Sequence, residues 1–271
     1  MCDTCGCAVT TGHGRINGQK RNGAQSEGER ASVEVLSSLL AANDHQAAHN
    51  REHFRRHDTL TVNLMSSPGS GKTSLLEVTI DALASQSSQL RVAVIEGDLE
   101  TENDAARIRA KGVPAVQITT GNACHLDAGM VHDALHVLDL DAIDILFIEN
   151  VGNLVCPASF DLGHHANIIL LSATEGDDKP AKYPVMFRAA DLVLISKADL
   201  IPILGDFDPK MAESHLRRLA NAAPVLQVST RQPETLVPWI AWLEEMRQTQ
   251  REGTDLRSRV LTGGTAFHQA G

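Results

Sequence analysis

An eight-residue loop of small side chains ending in Lys-Thr, Ser66-Ser67-Pro68-Gly69-Ser70-Gly71-Lys72-Thr73, constrains this chain more than any other stretch. It follows a β-rich apolar run at 59–65 (TLTVNLM) and opens a helix-compatible stretch at 72–85. Small residues there let backbone N–H groups turn inward around phosphate oxygens, and the N-terminus of the next helix adds a favourable dipole. In such a loop Lys72 reaches the β- and γ-phosphates and Thr73 ligates Mg²⁺, while Gly69, Ser70, Gly71 and Ser74 complete the cradle. Ser66 stands where the pattern ordinarily opens with Gly. A Gly-rich turn that merely contains a lysine is the plainer reading. The agreement of motif with strand–loop–helix context favours a nucleotide.

The loop begins a regular alternation. Further β-rich runs lie at 91–96, 115–119, 144–149, 168–172, 192–196 and 225–229, with helix-compatible stretches near 101–111, 126–138, 180–190, 209–221 and 234–250. Continuous apolar strands, each followed by a helix, specify an α/β fold with a doubly wound, mostly parallel sheet covered on both faces. Before it, residues 8–29 show no apolar period and read as a tether. From about Arg30 to Arg56, Val33, Leu36, Leu39, Leu40, Ala47, Ala48 and Phe54 recur at helical spacing. The organisation is therefore a leader over 1–29, a nucleotide domain over 30–250 and a polar tail over 251–271.

Of the 271 residues, 42% are apolar, which excludes wholesale disorder. Lys and Arg number 24 against 34 Asp and Glu, a formal charge of −10 that disfavours broad contact with nucleic acid. No run suggests a membrane span and the N-terminus has no signal-peptide core, so the expected compartment is cytoplasmic. Five cysteines in a reducing compartment point to metal or redox chemistry before structural disulfides.

Two carboxylates fall where a nucleotide-hydrolysing switch needs them. Glu149 ends the apolar run Ile145-Leu146-Phe147-Ile148, as expected of an acid that holds Mg²⁺ through water, and Gly152 is placed to offer its N–H to a γ-phosphate. In Glu96-Gly97-Asp98 the second Mg²⁺ or water-positioning carboxylate is expected to be Asp98. Lys72, Asp98 and Glu149 are thus the expected catalytic set. Ser196-Lys197-Ala198-Asp199 resembles the Asn-Lys-x-Asp guanine motif, in which the carboxylate accepts from the guanine ring N–H and amino group. GTP is favoured over ATP, with Lys197 and Asp199 reading the base. Ser196 replaces the usual Asn, and its hydroxyl can substitute for one of the amide's bonds. Val228-Ser229-Thr230 matches the fifth GTPase motif poorly.

Metal signals occur twice. Cys2, Cys5 and Cys7 form Cys-x-x-Cys-Gly-Cys, spaced to close around one soft or borderline ion. With the α-amine of Cys2 after loss of Met1, the set suits square-planar Ni²⁺ or tetrahedral Zn²⁺. Cys124-His125 and Cys156 follow the ends of two strands on the phosphate edge. They supply three ligands, one short of a closed tetrahedron, and a two-fold dimer could complete or merge two such sites. His45, His49, His53 and His57 recur every four residues and are read as a solvated polar stripe. His132 and His136, at the same spacing, are read as structural; His164-His165 stay unassigned.

The leader through Cys7, SSPGSGKT, GNACHLDAGMVH, FIENVGNLVCPASFDLG and ATEGDDKPAKYPVMFRAADLVL together resemble the hydrogenase nickel-incorporation GTPases, the HypB family. The resemblance covers nearly all of 30–250 and the leader. It implies a doubly wound P-loop GTPase of the SIMIBI class that forms a homodimer with GTP. It also implies delivery of nickel to the precursor of the [NiFe]-hydrogenase large subunit, with the small nickel chaperone HypA as partner. By motif, Cys2, Cys5 and Cys7 would be a tight nickel site, and Cys124, His125 and Cys156 a nucleotide-coupled Ni²⁺ or Zn²⁺ site. Ser196 departs from the family pattern, as does His164-His165 where acidic residues are usual. A urease-type nickel GTPase is the alternative, but it would normally lack the Cys leader and carry Cys-Pro-His where this chain has Cys156-Pro157-Ala158. A nickel storage protein is the other, against which the intact Lys72, Thr73, Asp98 and Glu149 argue.

Overall fold

Apolar strands buried on both faces need cover from both sides, and the computed structural model supplies it. The structure describes residues 27–85, 90–98, 103–121 and 123–252, with side chains from residue 37 onward. Cys2, Cys5, Cys7, the tether up to residue 26 and most of the polar tail lie outside the described residues, and the helix expected from Arg30 already begins at Glu27. Helix α1 (Glu27–Arg56) leads into β1 (Leu60–Ser66), α2 (Lys72–Ser85), β2 (Val92–Asp98), α3 (Asn103–Arg109), β3 (Ala115–Thr119), α4 (Ala128–Leu135) and β4 (Ile145–Glu149). The second half runs β5 (Ala166–Ser172), α5 (Lys179–Lys182), α6 (Pro184–Arg188), β6 (Leu192–Ser196), α7 (Ile201–Leu204), α8 (Pro209–Arg218), β7 (Val225–Gln227) and α9 (Val237–Arg251).

The strands form one seven-stranded sheet in the order β3-β2-β4-β1-β5-β6-β7, with every pairing parallel. The chain winds outward to β3, returns to β4 beside β1, then builds away on the other side. Beside β1 the strand order reverses, and the crevice beyond the strand C-termini at such a point is where open α/β sheets bind ligands. Side chains of α2 and α9 (Leu75, Leu76, Ile80, Leu83, Trp239, Trp242) pack one face around Phe147 and Val94. The opposite face holds Phe54, Val131 and Leu135 against Ile95, Leu146 and Ile148, and Met186, Phe187 and Leu216 against Ile169 and Ile195. Trp239 is fully buried and its indole donates to Thr79 Oγ1 at 2.9 Å, so the largest core side chain leaves no unpaired polar atom.

Two expectations need correction. The single helix over 180–190 is broken into α5 and α6 because Pro184 excludes helical geometry from the residue before it; Tyr183 sits at φ −122°, ψ 58°. The apolar stripe of α1 is only part of its buried face: Leu39 is 59% exposed and Ala48 is exposed, while Asn43, Ala47, Asn50 and Phe54 face inward. The two asparagines act as connectors. Asn43 donates to Asp161 O and accepts from Ala128 N, and Asn50 donates to Ala128 O and Leu162 O.

Candidate functional site

The loop after β1 takes the shape its glycines permit, with Gly69 at φ +74° and Gly71 at φ +96°, before Lys72 opens α2. Lys72 is buried and donates to Ser66 Oγ at 3.0 Å. The serine that replaces Gly at the head of the loop therefore holds the Lys72 ammonium. Thr73 Oγ1 donates to Glu149 Oε1 at 3.0 Å, and Lys72 Nζ lies 3.9 Å from the same oxygen. A hydroxyl and a carboxylate this close form the hard oxygen donor set that Mg²⁺ prefers.

Glu149 is buried, and burial pushes its carboxyl up while Lys72 pulls it back. Across the β2–β4 ladder its partner is Glu96, which is only 2% exposed. Desolvation and the Glu149 charge push Glu96 up to about 10. Glu96 is thus the protonated member and donates to the Glu149 carboxylate. Asp98 stands two residues further along, half-buried at the end of β2.

Opposite, β6 and β7 bring the guanine-type motif to the loop. Ser196 Oγ donates to Ser70 O at 2.7 Å, so the hydroxyl makes the bridge to the phosphate loop that an Asn amide would otherwise make. Lys197 holds a left-handed φ of +56°, with its Nζ donating to Gly69 O at 2.8 Å. Strain of this kind in a non-glycine residue costs about 1–3 kcal/mol and collects at ligand sites. Ser229 Oγ donates to Asp199 Oδ1 at 2.6 Å, and Arg231 lies 3.9 Å from Oδ2. The stretch that matches the fifth motif poorly thus hydrogen-bonds the carboxylate of the Ser-Lys-x-Asp motif.

The predicted metal ligands converge. Ligand atoms of Cys124, His125 and Cys156 all lie within 4.8 Å of one another, and the two Sγ atoms are 2.9 Å apart. His125 stacks on Phe160 with centroids 3.9 Å apart, and burial lowers its pKa, favouring the neutral, ligating imidazole. Three soft or borderline donors suit nickel or zinc. The triad is tied to the phosphate loop through one short segment. Asn150 Oδ1, next to Glu149, accepts from Leu126 N and so clamps the Cys124-His125 loop. A Cβ on Gly152 would lie 2.9 Å from Pro68 Cα, so glycine alone allows the segment to rest on the phosphate loop. Asn153 Oδ1 then accepts from the backbone N–H groups of Val155 and Cys156.

Comparison with known proteins decides the family. Residues 60–227 match the model of the CobW/HypB/UreG nucleotide-binding domain. The hydrogenase maturation factor HypB of Azotobacter vinelandii is 52% identical over 228 residues, covering 84% of this chain and 72% of that protein. The Escherichia coli K12 factor of the same name is 47% identical, covering 85% of this chain and 78% of its own length. The chain belongs to the HypB family. A crystal structure of HypB from Helicobacter pylori in complex with nickel superposes with a TM-score of 0.73 at 44% identity, covering 79% of this chain and 97% of that one.

For a HypB-family chain, three residues beyond the motif positions matter that sequence reasoning did not single out: Glu96, Asn150 and Asn153. Glu96 was visible only as a strand-end acid, since nothing local shows that it pairs with Glu149. Asn150 and Asn153 flank Gly152 in the quoted FIENVGN stretch, but their bonds are tertiary. His165 Nδ1 accepts from Thr61 N at 3.0 Å, a structural role, and His164 is buried beside Asp161. The histidine stripe of α1 is not wholly solvated: His45 and His49 are exposed, whereas His53 and His57 turn partly inward toward α4.

Proposed function

We propose that this chain is a GTP-hydrolysing nickel metallochaperone that delivers nickel to the precursor of the [NiFe]-hydrogenase large subunit. One observation carries the reading. The eight residues from Glu149 to Cys156 connect the acid beside Lys72 and Thr73, the Gly152 contact with the phosphate loop and a ligand of the Cys124–His125–Cys156 triad. Any displacement of Gly152 toward a γ-phosphate must move Cys156. The names of the relatives, hydrogenase maturation factors, and the nickel in the Helicobacter pylori crystal support the cargo and its destination.

In this reading Gly69, Ser70, Gly71, Lys72, Thr73 and Ser74 grip the phosphates of GTP, and Lys197 and Asp199 read guanine. Thr73 and Glu149 would hold Mg²⁺, which neutralises charge on the β- and γ-phosphates when bound. Asp98 orients the attacking water. Glu96, as a neutral acid, keeps Glu149 aimed at the ion. The triad holds Ni²⁺ as cargo, or Zn²⁺ in competition, and a GTP-dependent homodimer completes its coordination. Cys2, Cys5 and Cys7 form a separate nickel site, and the small nickel chaperone HypA is a partner. The protein works in the cytoplasm as a leader (1–29), a GTPase domain (30–250) and a tail (251–271); no helix of the described residues is long and apolar enough to cross a membrane.

The test titrates Ni²⁺ into the full chain carrying Cys2, Cys5 and Cys7→Ser, loaded with GDP or with a non-hydrolysable GTP analogue. The affinities should differ by about 5–150-fold, the usual size of a coupling free energy between sites. Equal affinities, or affinities indifferent to Cys124→Ala and Cys156→Ala, would overturn the proposal.

A further inference from the structure

The stripe on α1 and the His132/His136 pair on α4, apart in sequence, meet in space. The rings of His53 and His132 have centroids 5.5 Å apart, and those of His132 and His136 are 4.8 Å apart. They line an open cleft of about 300 Å³ between the two helices, together with His57, Leu138 and Asp139. With metal–nitrogen bonds of about 2.0–2.1 Å, two imidazoles on one ion have ring centroids roughly 4.5–5.2 Å apart, so His132 and His136 already stand at a ligating spacing and the ring of His53 must swing inward to join them.

The hydrogen bonds of Asn50 fix which nitrogen of His132 is available. Asn50 Nδ2 donates to Ala128 O at 2.8 Å and to Leu162 O at 3.1 Å, so its side-chain oxygen must be the acceptor facing His132 Nδ1 at 3.1 Å. His132 Nδ1 therefore carries the proton and Nε2 carries the lone pair. A ligating imidazole held by a hydrogen bond from its other nitrogen is the usual outer-shell arrangement of protein metal sites. Burial and the neighbouring histidines lower the pKa of His53, which favours its neutral form. The broad χ2 torsions of His53 and His136 allow their nitrogens to turn into the cleft. His57 is committed elsewhere, to Asp141 Oδ1 at 2.7 Å. Packing does not require this cluster: α1 is anchored to the α4 side through Asn43, Ala47, Asn50 and Phe54, and His136 is exposed.

We propose that His53, His132 and His136 form a second binding site, independent of the cysteine triad, for an imidazole-preferring divalent cation of the nickel and zinc class. The site joins α1 to the second half of α4, toward the edge of the sheet where β1 and β4 begin, away from the triad. This inference does not depend on GTP coupling.

The experiment uses the full chain with all five cysteines replaced by Ser or Ala and Ni²⁺ as the probe. Equilibrium dialysis should leave about one bound Ni²⁺ per chain, and the imidazole Cε1–H NMR signals of His53, His132 and His136 should broaden first. His132→Gln should weaken this binding at least about tenfold. His136→Gln, at an exposed position that leaves the Asn50 network untouched, should also weaken it, whereas His45→Gln with His49→Gln should not. Three results would each overturn the proposal. These are no retained Ni²⁺, retained Ni²⁺ indifferent to the His132 and His136 variants, and loss of binding only with the His45 and His49 variants.

Discussion

The phosphate loop and the Cys124–His125–Cys156 triad leave the same edge of the sheet but are completed in different ways. The loop is closed by its own chain: Ser66 holds Lys72, Ser196 and Lys197 hold the carbonyls of Ser70 and Gly69, and Glu149 holds Thr73. The triad gathers three donors from two loops among the described residues. One site is organised before its ligand arrives, and the other changes whenever its loops change. Under the proposed function, the preorganised nucleotide loop would act on the metal site through the segment that joins them. The joint between them is the Gly152 segment resting on Pro68.

The largest effect should come from the preorganised loop. Lys72→Ala should lower GTP hydrolysis by about 10²–10³-fold or more, because it removes a preorganised cation from the developing phosphate charge. Ni²⁺ at the triad should survive, since Lys72 contacts Ser66 and Glu149, neither of which belongs to the triad. Phosphate release and equilibrium dialysis on one preparation would check both, and loss of metal together with activity would break the comparison. Gly152→Ala addresses the joint. Its methyl would meet the Pro68 backbone at 2.9 Å, so the segment must lift from the loop. The ratio of Ni²⁺ affinities between nucleotide states should then fall toward one while binding in the GDP state persists.

A smaller effect should appear in the pH dependence of the nucleotide-free protein. Glu96 ionises near its ordinary value of 4.5 when unfolded but near 10 when folded. Over that window the folded state holds the extra proton, so the contribution of Glu96 to stability is present below about pH 4.5 and lost as pH rises toward 10. Denaturant titrations at pH 5 and pH 9 should show wild type losing more stability on alkalinisation than Glu96→Gln. An identical loss in both would mean that Glu96 does not carry the proton. Smallest of all, Ser196→Ala removes one bond to Ser70 O. A net hydrogen bond is worth about 0.5–1.5 kcal/mol, so GTP affinity should drop a few-fold, measurable by nucleotide titration. No change would show that the Ser196 bridge does not support the loop.

The phosphate loop, the strand-end Glu149, the Ser-Lys-x-Asp motif and the Cys-His with distant Cys were all legible because their chemistry lies in short contiguous stretches, and local sequence fixes local backbone. The parallel sheet was legible for a related reason: strands buried on both faces must read as unbroken apolar runs. The split at Pro184 was also local and could have been read from the restriction a proline places on the residue before it.

What the sequence could not decide are pairings between residues far apart in the chain. Glu96 becomes an acid only when strand register sets it opposite Glu149 in a desolvated pocket. Asn50 becomes an anchor for His132 only when α1 lies on α4. Ser229 hydrogen-bonds Asp199 only when the turn after β7 reaches β6. A side chain's charge state and hydrogen-bond role depend on the dielectric and partners around it, and folding alone supplies those. The sequence determined which groups this chain carries and which backbone they stand on; the tertiary structure decided which of them face one another.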